Sequence, residues 1–355
     1  MTGIRILVHV AASRLLLLVC GCLSTVSVLL AQSASAPPAS MATVDARHAD
    51  FGISEWLTRM HEASRKRAYI GTIVVSAGSS ISSARIWHIC DGTQQMERVE
   101  SLNGAPRSTF RRNDEVVTFM PETRTAVAER REALGLFPRL LASPDSSIAQ
   151  YYSAKQTGFE RVAGHEAEVV VLQPRDGLRF GYRVWNEKKS GLVIKLQTLD
   201  VEGKVVEQVA FSELQLDAPV SMAKLAQMMN NTEGYRIERP DVVKTTPMAE
   251  GWVLKNPVPG FKSMGCHRRP GASGDTLAPD KTMQWVFSDG LATVSLFVEA
   301  FDRRRHGLEG VSAAGATHTL TRKLTEKGGE WWLTVVGEVP VQTLHVFSHG
   351  LERIK

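Results

Sequence analysis

Five short alternating segments follow one another between residues 69 and 121, and they leave no room for crossover helices. "YIGTIVVSA" (69–77), "ARIWHICD" (84–91), "QQMERVES" (94–101), "RSTFRRN" (107–113) and "EVVTFMP" (115–121) are separated only by turn signals, Asn103-Gly104 and Asn113-Asp114 being the clearest. A parallel pair needs a connection of a dozen residues or more, so this spacing predicts an antiparallel meander. Strands resume with "AEVVVLQP" (167–174), "RFGYRVWNEKKSGLVIKLQTLD" (179–200) and "KVVEQVAFSEL" (204–214). In the middle one, Phe180, Tyr182 and Val184 alternate with Arg179, Gly181 and Arg183, and the pattern returns after Ser190-Gly191 with Leu192, Ile194 and Leu196. Trp185, Val193 and Leu199 make the opposite face apolar too, so the hairpin is either part of a sealed core or the wall of a cavity.

Helices are few. Ile53, Trp56, Leu57 and Met60 fall on one helical stripe. Residues 126–152 carry helical stretches interrupted by Pro138 and Pro144, as a cover over a sheet would. A short helical pattern (Met222, Leu225, Met228, Met229) opens a segment, 218–248, that reads as an inter-domain linker with Pro240 and Pro247. From 249 a second β-rich unit begins. "TMQWVFSDGLATVSLFVEAF" (282–301) predicts a hairpin with a type I′ turn at Asp289-Gly290, and 318–336 predicts another. A terminal helix entered at Pro340 buries Leu344, Phe347, Leu351 and Ile354. The expected divisions are therefore a leader at 37–50, a larger domain at 51–217, the linker, and a smaller α+β domain at 249–355.

Residues 1–36 read as a secretory signal peptide: Arg5 and Arg14, an apolar run from Leu15 to Leu30, then "AQSASAPPAS". Sixteen residues interrupted by Ser24, Thr25 and Ser27 are short for a membrane anchor, and cleavage between Ala31 and Ala36 is preferred over a lipobox ending at Cys22. The mature chain is expected in an exported, periplasmic location. Its net charge falls from +5 by the two charges of Arg5 and Arg14, too small an excess for a nucleic-acid footprint. Cys90 and Cys266 remain, and they read as isolated thiols, one in a strand and one in a loop, rather than a disulfide.

No catalytic motif is legible. The mature chain has no P-loop, dinucleotide fingerprint, HExxH, GxSxG or CxxC. His345 and His349 have a spacing a metal could use but lack a third ligand, and Cys266-His267 lacks a group to orient a base. No catalytic residue, cofactor or metal site is assigned. Two basic clusters in expected loops, Arg268 and Arg269 in "HRRP" and Arg303, Arg304 and Arg305 in "DRRRH", suit acidic peptide or anionic phosphate.

"VVVLQPRDGLRFGYRVWNEKKSGLVIKLQTLDVEGKVVEQVAF", "PGFKSMGCHRRP", "FSDGLATVSLFVEAF" and "LTVVGEVPVQTL" resemble, in order, the MucB/RseB family of periplasmic sigma-E regulators. The resemblance implies an α+β fold: an N-terminal antiparallel half-barrel like the lipoprotein carriers LolA and LolB, and a smaller C-terminal α+β domain. It implies a non-catalytic protein that binds the periplasmic part of a single-pass anti-sigma factor (RseA or MucA type) and shields it from site-1 proteolysis. Lipopolysaccharide or another acylated amphiphile is expected to release that partner. The resemblance also favours a cavity, whose wall by alternation is Val74, Ile86, Phe119, Phe180, Tyr182, Val184, Ile194 and Leu196, with the two arginine clusters as partner contacts. A periplasmic lipid or lipoprotein carrier is the alternative, and it leaves the C-terminal domain without a role. Self-association is compatible with either. Cys90, Cys266 and Trp331-Trp332 depart from the family's pattern.

Overall fold

In the computed structural model, which describes residues 52–130, 147–270, 281–326 and 328–354, the first described element is the expected amphipathic helix. Helix α1 (Ile53–Lys66) buries Ile53, Trp56, Leu57 and Met60 on one stripe. At roughly 1.5–3 kcal/mol for each buried large apolar side chain, that stripe fixes the helix to the sheet beneath it.

The meander is present and longer than the sequence suggests. Strands β1 (Tyr69–Ala77), β2 (Ser80–Cys90), β3 (Gln95–Ser101), β4 (Ser108–Arg112), β5 (Glu115–Met120) and β6 (Thr125–Arg130) pair antiparallel in chain order. Asn113 turns β4 into β5 with φ +54, a conformation Asn tolerates better than most residues. The one-turn helix α2 (Ile148–Tyr151) leads into a second meander: β7 (Tyr152–Val162), β8 (His165–Pro174), β9 (Gly181–Glu187), β10 (Val193–Leu199) and β11 (Val205–Leu216). Pairing of β11 with β1 joins the two meanders. Helix α3 (Met222–Asn230), capped by the Ser221 hydroxyl, covers β3 and β4, and β12 (Arg236–Glu238) adds parallel to β6, completing a 12-stranded sheet.

The remaining strands are β13 (Val243–Thr245), β14 (Trp252–Leu254), β15 (Lys262–Pro270), β16 (Lys281–Ser288), β17 (Thr293–Ala300), β18 (Gly310–Ala314), β19 (Thr317–Glu326), β20 (Gly329–Gly337) and β21 (Leu351–Arg353). Seven form a sheet in the order β13-β15-β16-β17-β20-β19-β18, and β14 pairs with β21. Helix α4 (Val341–Gly350) closes its core with Leu344 and Phe347. The α+β class, with a large N-terminal sheet and a smaller C-terminal unit, is as expected.

Several local expectations are corrected. Residues 125–130 are strand β6, not part of a helical cover, and 131–146 lie outside the described residues, as does the signal segment. The stretch 218–248 is structured at both ends, since β12 belongs to the large sheet and β13 to the small one. Cys266, His267, Arg268 and Arg269 lie on strand β15, not in a loop. Ile354 is 45% exposed rather than part of the buried stripe. The β16–β17 connection is a four-residue loop, because Ser288 pairs with Thr293. Asp289 is not in the left-handed region that a type I′ turn demands; its carboxylate instead accepts the amides of Leu291 (3.0 Å) and Ala292 (2.8 Å). Cys90 and Cys266 are free thiols, as expected.

Candidate functional site

The eight residues expected to form one apolar wall do not share one. Tyr182, Val184 and Leu196 pack with Trp56, Leu57 and Met60 of α1. Ile86 and Ile194 belong to another cluster, with Tyr69, Trp185, Leu192 and Phe211. Phe119 packs in a third with Phe110, Met96 and the α3 residues Leu225 and Met229. Phe180 faces the ring of His318 in the C-terminal unit, 5.7 Å between centroids, and Val74 is half-buried on β1. The split within β10 has a local cause. A register shift between Val193 and Lys195 breaks the two-residue period, so Val193 and Leu196 side with α1 while Ile194 sides with Trp185. Val184 and Ile194 are fully buried; α1 fills the space beside Val184.

An open cleft of about 510 Å³ does exist, beside the C-terminal half of α1, but it is polar. Arg59, Glu62, Ala63, Lys66, Arg67, Ser190 and Asp217 line it. Its cations already have partners: Arg59 with Glu168 (3.3 Å), Lys66 with Glu62 (2.7 Å) and Arg67 with Asp217 (2.9 Å).

The most elaborate polar arrangement lies between the two sheets. Arg179, at the end of the β8–β9 connection, has a side chain with no exposed surface. Its Nε donates to Asp176 Oδ1 (2.9 Å), Nη1 to Asp289 Oδ2 (2.8 Å) and Nη2 to the Pro259 carbonyl (2.7 Å). The guanidinium lies 4.5 Å from the ring centre of Tyr151 and 5.3 Å from that of Phe261, one ring from each unit. Asp289, equally buried, also accepts from the Tyr152 hydroxyl (3.2 Å). Burial works against the charge on Arg179, but the bond to Asp176 and the charge of Asp289 outweigh it and hold the guanidinium above its ordinary pKa. Burial pushes the Asp289 carboxyl above its usual range, opposed by the Ala292 and Leu291 amides and by Arg179.

Further contacts tie the units together. Thr343 Oγ1 donates to the Leu178 carbonyl (2.7 Å), and the Ala316 amide donates to Glu207 Oε2 (3.1 Å). Leu291 of the C-terminal unit packs in the α1 cluster, and Leu178 packs against the C-terminal core. Gly260 (φ +82) is needed here, since a Cβ would stand 2.8 Å from the Tyr151 ring. The arrangement is a structural joint: Arg179 Nη1 and Nη2 and Asp289 Oδ2 bond across the units, while Arg179 Nε and Asp289 Oδ1 are held by their own loops.

The arginine clusters divide in the same way. Arg268 is bidentate to Glu250, and Arg269 bonds Gln284 and lies 4.0 Å from Glu129 across the junction. Arg305 is partnered by Asp302 (3.2 Å) and Glu299 (3.5 Å). Arg303 and Arg304 are exposed in the turn after β17. Burial pushes the Cys266 thiol up to about 11, so it is no nucleophile at neutral pH. His345 and His349 stack with 5.9 Å between ring centres, and no cluster of three metal-ligating side chains exists among the described residues. No helix among the described residues is long and apolar enough to cross a membrane.

Sequence reasoning missed the joint. Arg179 sits at an alternating position that reads as outward, and Asp289-Gly290 reads as a plain turn.

Comparison with known proteins covers both units. Family models for the MucB/RseB N-terminal domain and C-terminal domain match residues 52–229 and 246–352. The chain is 29% identical to the sigma factor AlgU regulatory protein MucB of Pseudomonas aeruginosa, over 82% of this chain and 87% of that one. It is 25% identical to the sigma-E factor regulatory protein RseB of Escherichia coli, over 93% and 96% respectively. The crystal structure of MucB in complex with MucA(peri) is similar with a TM-score of 0.66 at 25% identity, covering 85% of this chain and 99% of that one.

Proposed function

The chain belongs to the MucB/RseB family, and we propose that it is a periplasmic regulator that binds the periplasmic segment of a single-pass anti-sigma factor. Bound there, it shields the segment from the first proteolytic cut, and the sigma factor stays captive. One observation carries this reading: the likeness to MucB in its complex with the periplasmic part of MucA spans both units, not the large sheet alone. A joint built from Arg179 and Asp289 supports it, since two rigidly coupled units can present a composite surface to one partner. The role is one of binding, in keeping with the family's regulatory members.

Release by an acylated amphiphile such as lipopolysaccharide belongs to the same proposal. The apolar surface beneath α1, including Tyr182, Val184 and Leu196, supports it, with Trp56 and Leu57 as the groups an acyl chain would replace. Each buried CH₂ is worth about 0.8 kcal/mol, enough for a partly inserted chain to compete with a helix held by a few side chains. Such a ligand releases the partner only by favouring a state that binds it less well. Ile86, Phe119, Phe180 and Ile194 would be reached only by a deeper rearrangement, and half-buried Val74 on β1 is not among the residues packed under α1.

The test is a pull-down with the full mature chain from the host's membrane extract. Recovery of a single-pass anti-sigma protein, with retarded cleavage of its periplasmic segment in the presence of this chain, is the expected result. Recovery of a spectrum of lipoproteins and no anti-sigma protein would overturn the reading in favour of a carrier.

A further inference from the structure

Exposed sheet edges invite pairing with another chain, and folded proteins guard them with short strands, charges, bulges or proline. Among the described residues the two large sheets end in four edges, and three are guarded. Strands β12 and β13 are three residues each and carry Arg236, Glu238 and Lys244. Strand β7 carries Lys155, Glu160 and Arg161 and is bulged between Gln156 and Gly158. Strand β18, "GVSAA", has none of these devices. It contains no charge and no proline, pairs with β19 without a register shift, and is exposed from Gly310 to Ala313. Among the described residues nothing pairs with its outer side.

The surroundings of this edge define what fits it. Leu308, 93% exposed, and Val311, 46% exposed, set apolar side chains along it. Exposed Arg303 and Arg304 precede it, against the single carboxylate of Glu309 between them and the strand. The edge is also held in place. Gly315, at the β18–β19 turn with φ +61, lies so close to the N-terminal unit that a Cβ would stand 2.6 Å from that of Ala77. The adjacent Ala316 amide bonds Glu207. A rigid, uncharged strand edge with apolar side chains and neighbouring guanidinium groups suits an extended peptide bearing acidic and apolar residues.

We propose that β18 is a docking edge on which an extended, acidic stretch of the anti-sigma segment adds as a further strand of the C-terminal sheet. This rests on the partner assignment above and specifies how that partner is held. Backbone bonding to β18 then supplies affinity, and Arg303 and Arg304 select acidic sequence and orient it.

Hydrogen exchange on the full chain, with and without the anti-sigma periplasmic segment recovered in the pull-down, tests this together with the variant Val311→Glu/Ala313→Glu. The expected result is slowed exchange of amides 310–314 in the complex and a loss of about tenfold in affinity for the variant, the equivalent of roughly one net hydrogen bond. Arg303→Glu/Arg304→Glu, which leaves the strand itself intact, should weaken binding in low salt and matter less in high salt. Wild-type binding with unchanged exchange at 310–314 and equal affinity of both variants overturns the docking edge and leaves the proposed function standing. Absence of any binding by the wild-type chain removes both. Protection of 310–314 that depends on this chain's own concentration, without the segment, means that a second copy occupies the edge and also overturns the proposal.

Discussion

Replacing Arg179 by methionine keeps most of the side chain's length and removes its charge. Two of the three hydrogen bonds lost, to Asp289 (2.8 Å) and to the Pro259 carbonyl (2.7 Å), join the two units. Asp289 keeps the Leu291 and Ala292 amides and the Tyr152 hydroxyl, but its fully buried carboxylate loses its counter-charge. Removing one partner of a buried pair costs about 3–5 kcal/mol. Two hydrogen bonds to charged groups, at roughly 1.5–3 kcal/mol each, give a similar figure. Asp289→Asn should cost less, about 1–3 kcal/mol, because an amide oxygen can still accept from the loop amides. The double variant should cost less than the sum of the singles by about 0.5–3 kcal/mol. The deficit of Arg179→Met should also depend on pH in a fixed direction. Burial already raises the Asp289 carboxyl above its unfolded value, and losing Arg179 raises it further. A raised folded-state pKa gives stability that is fully present below the ordinary carboxylate value and lost as pH rises through the raised one. The variant should therefore be closer to wild type at about pH 5 than at about pH 8. Urea melts followed by tryptophan fluorescence and by proteolysis within residues 239–242 read both effects, and the variant's unfolding should separate into two transitions. A single transition with an unchanged midpoint, or singles that add to within about 0.5 kcal/mol, would refute the coupling role.

Val184→Asp buries an unpaired charge against α1 and should abolish folding rather than merely ligand binding; a far-ultraviolet spectrum and melting point equal to wild type would instead mean that Val184 lines an accessible cavity. A thiol reagent at about pH 8 should modify Cys90 in the native mature chain, and Cys266 only after unfolding, because burial holds the Cys266 thiol at about 11; rapid native labelling of Cys266 would contradict that. Gly260→Ala should destabilise by about 1–3 kcal/mol, since it strains a positive φ and meets the Tyr151 ring, and an unchanged melt would exclude the close approach.

The order of local elements was legible because it follows from periodicity and turn chemistry, which neighbouring residues decide among themselves. Strand β1 matches its predicted span, the β2–β5 meander and the β16–β17 and β19–β20 hairpins lie where alternation puts them, and α1 buries the stripe its spacing predicts. Edge strands were harder to read. β7 and β18 lack a clean apolar alternation and are set by the next strand in the chain, while β12 and β13 are three residues each and are strands because β6 and β15 pair with them. Facing was decided by tertiary structure as well. One register shift in β10 moved Ile194 away from Leu196, a displacement that no alternation pattern contains. The joint lay furthest from the sequence. Arg179 and Asp289 are 110 positions apart, and each has an adequate local reading, as an outward strand residue and as a turn former. Only the packing of one sheet's loop against the other's brings them together without water, where a guanidinium and a carboxylate have to pair with each other.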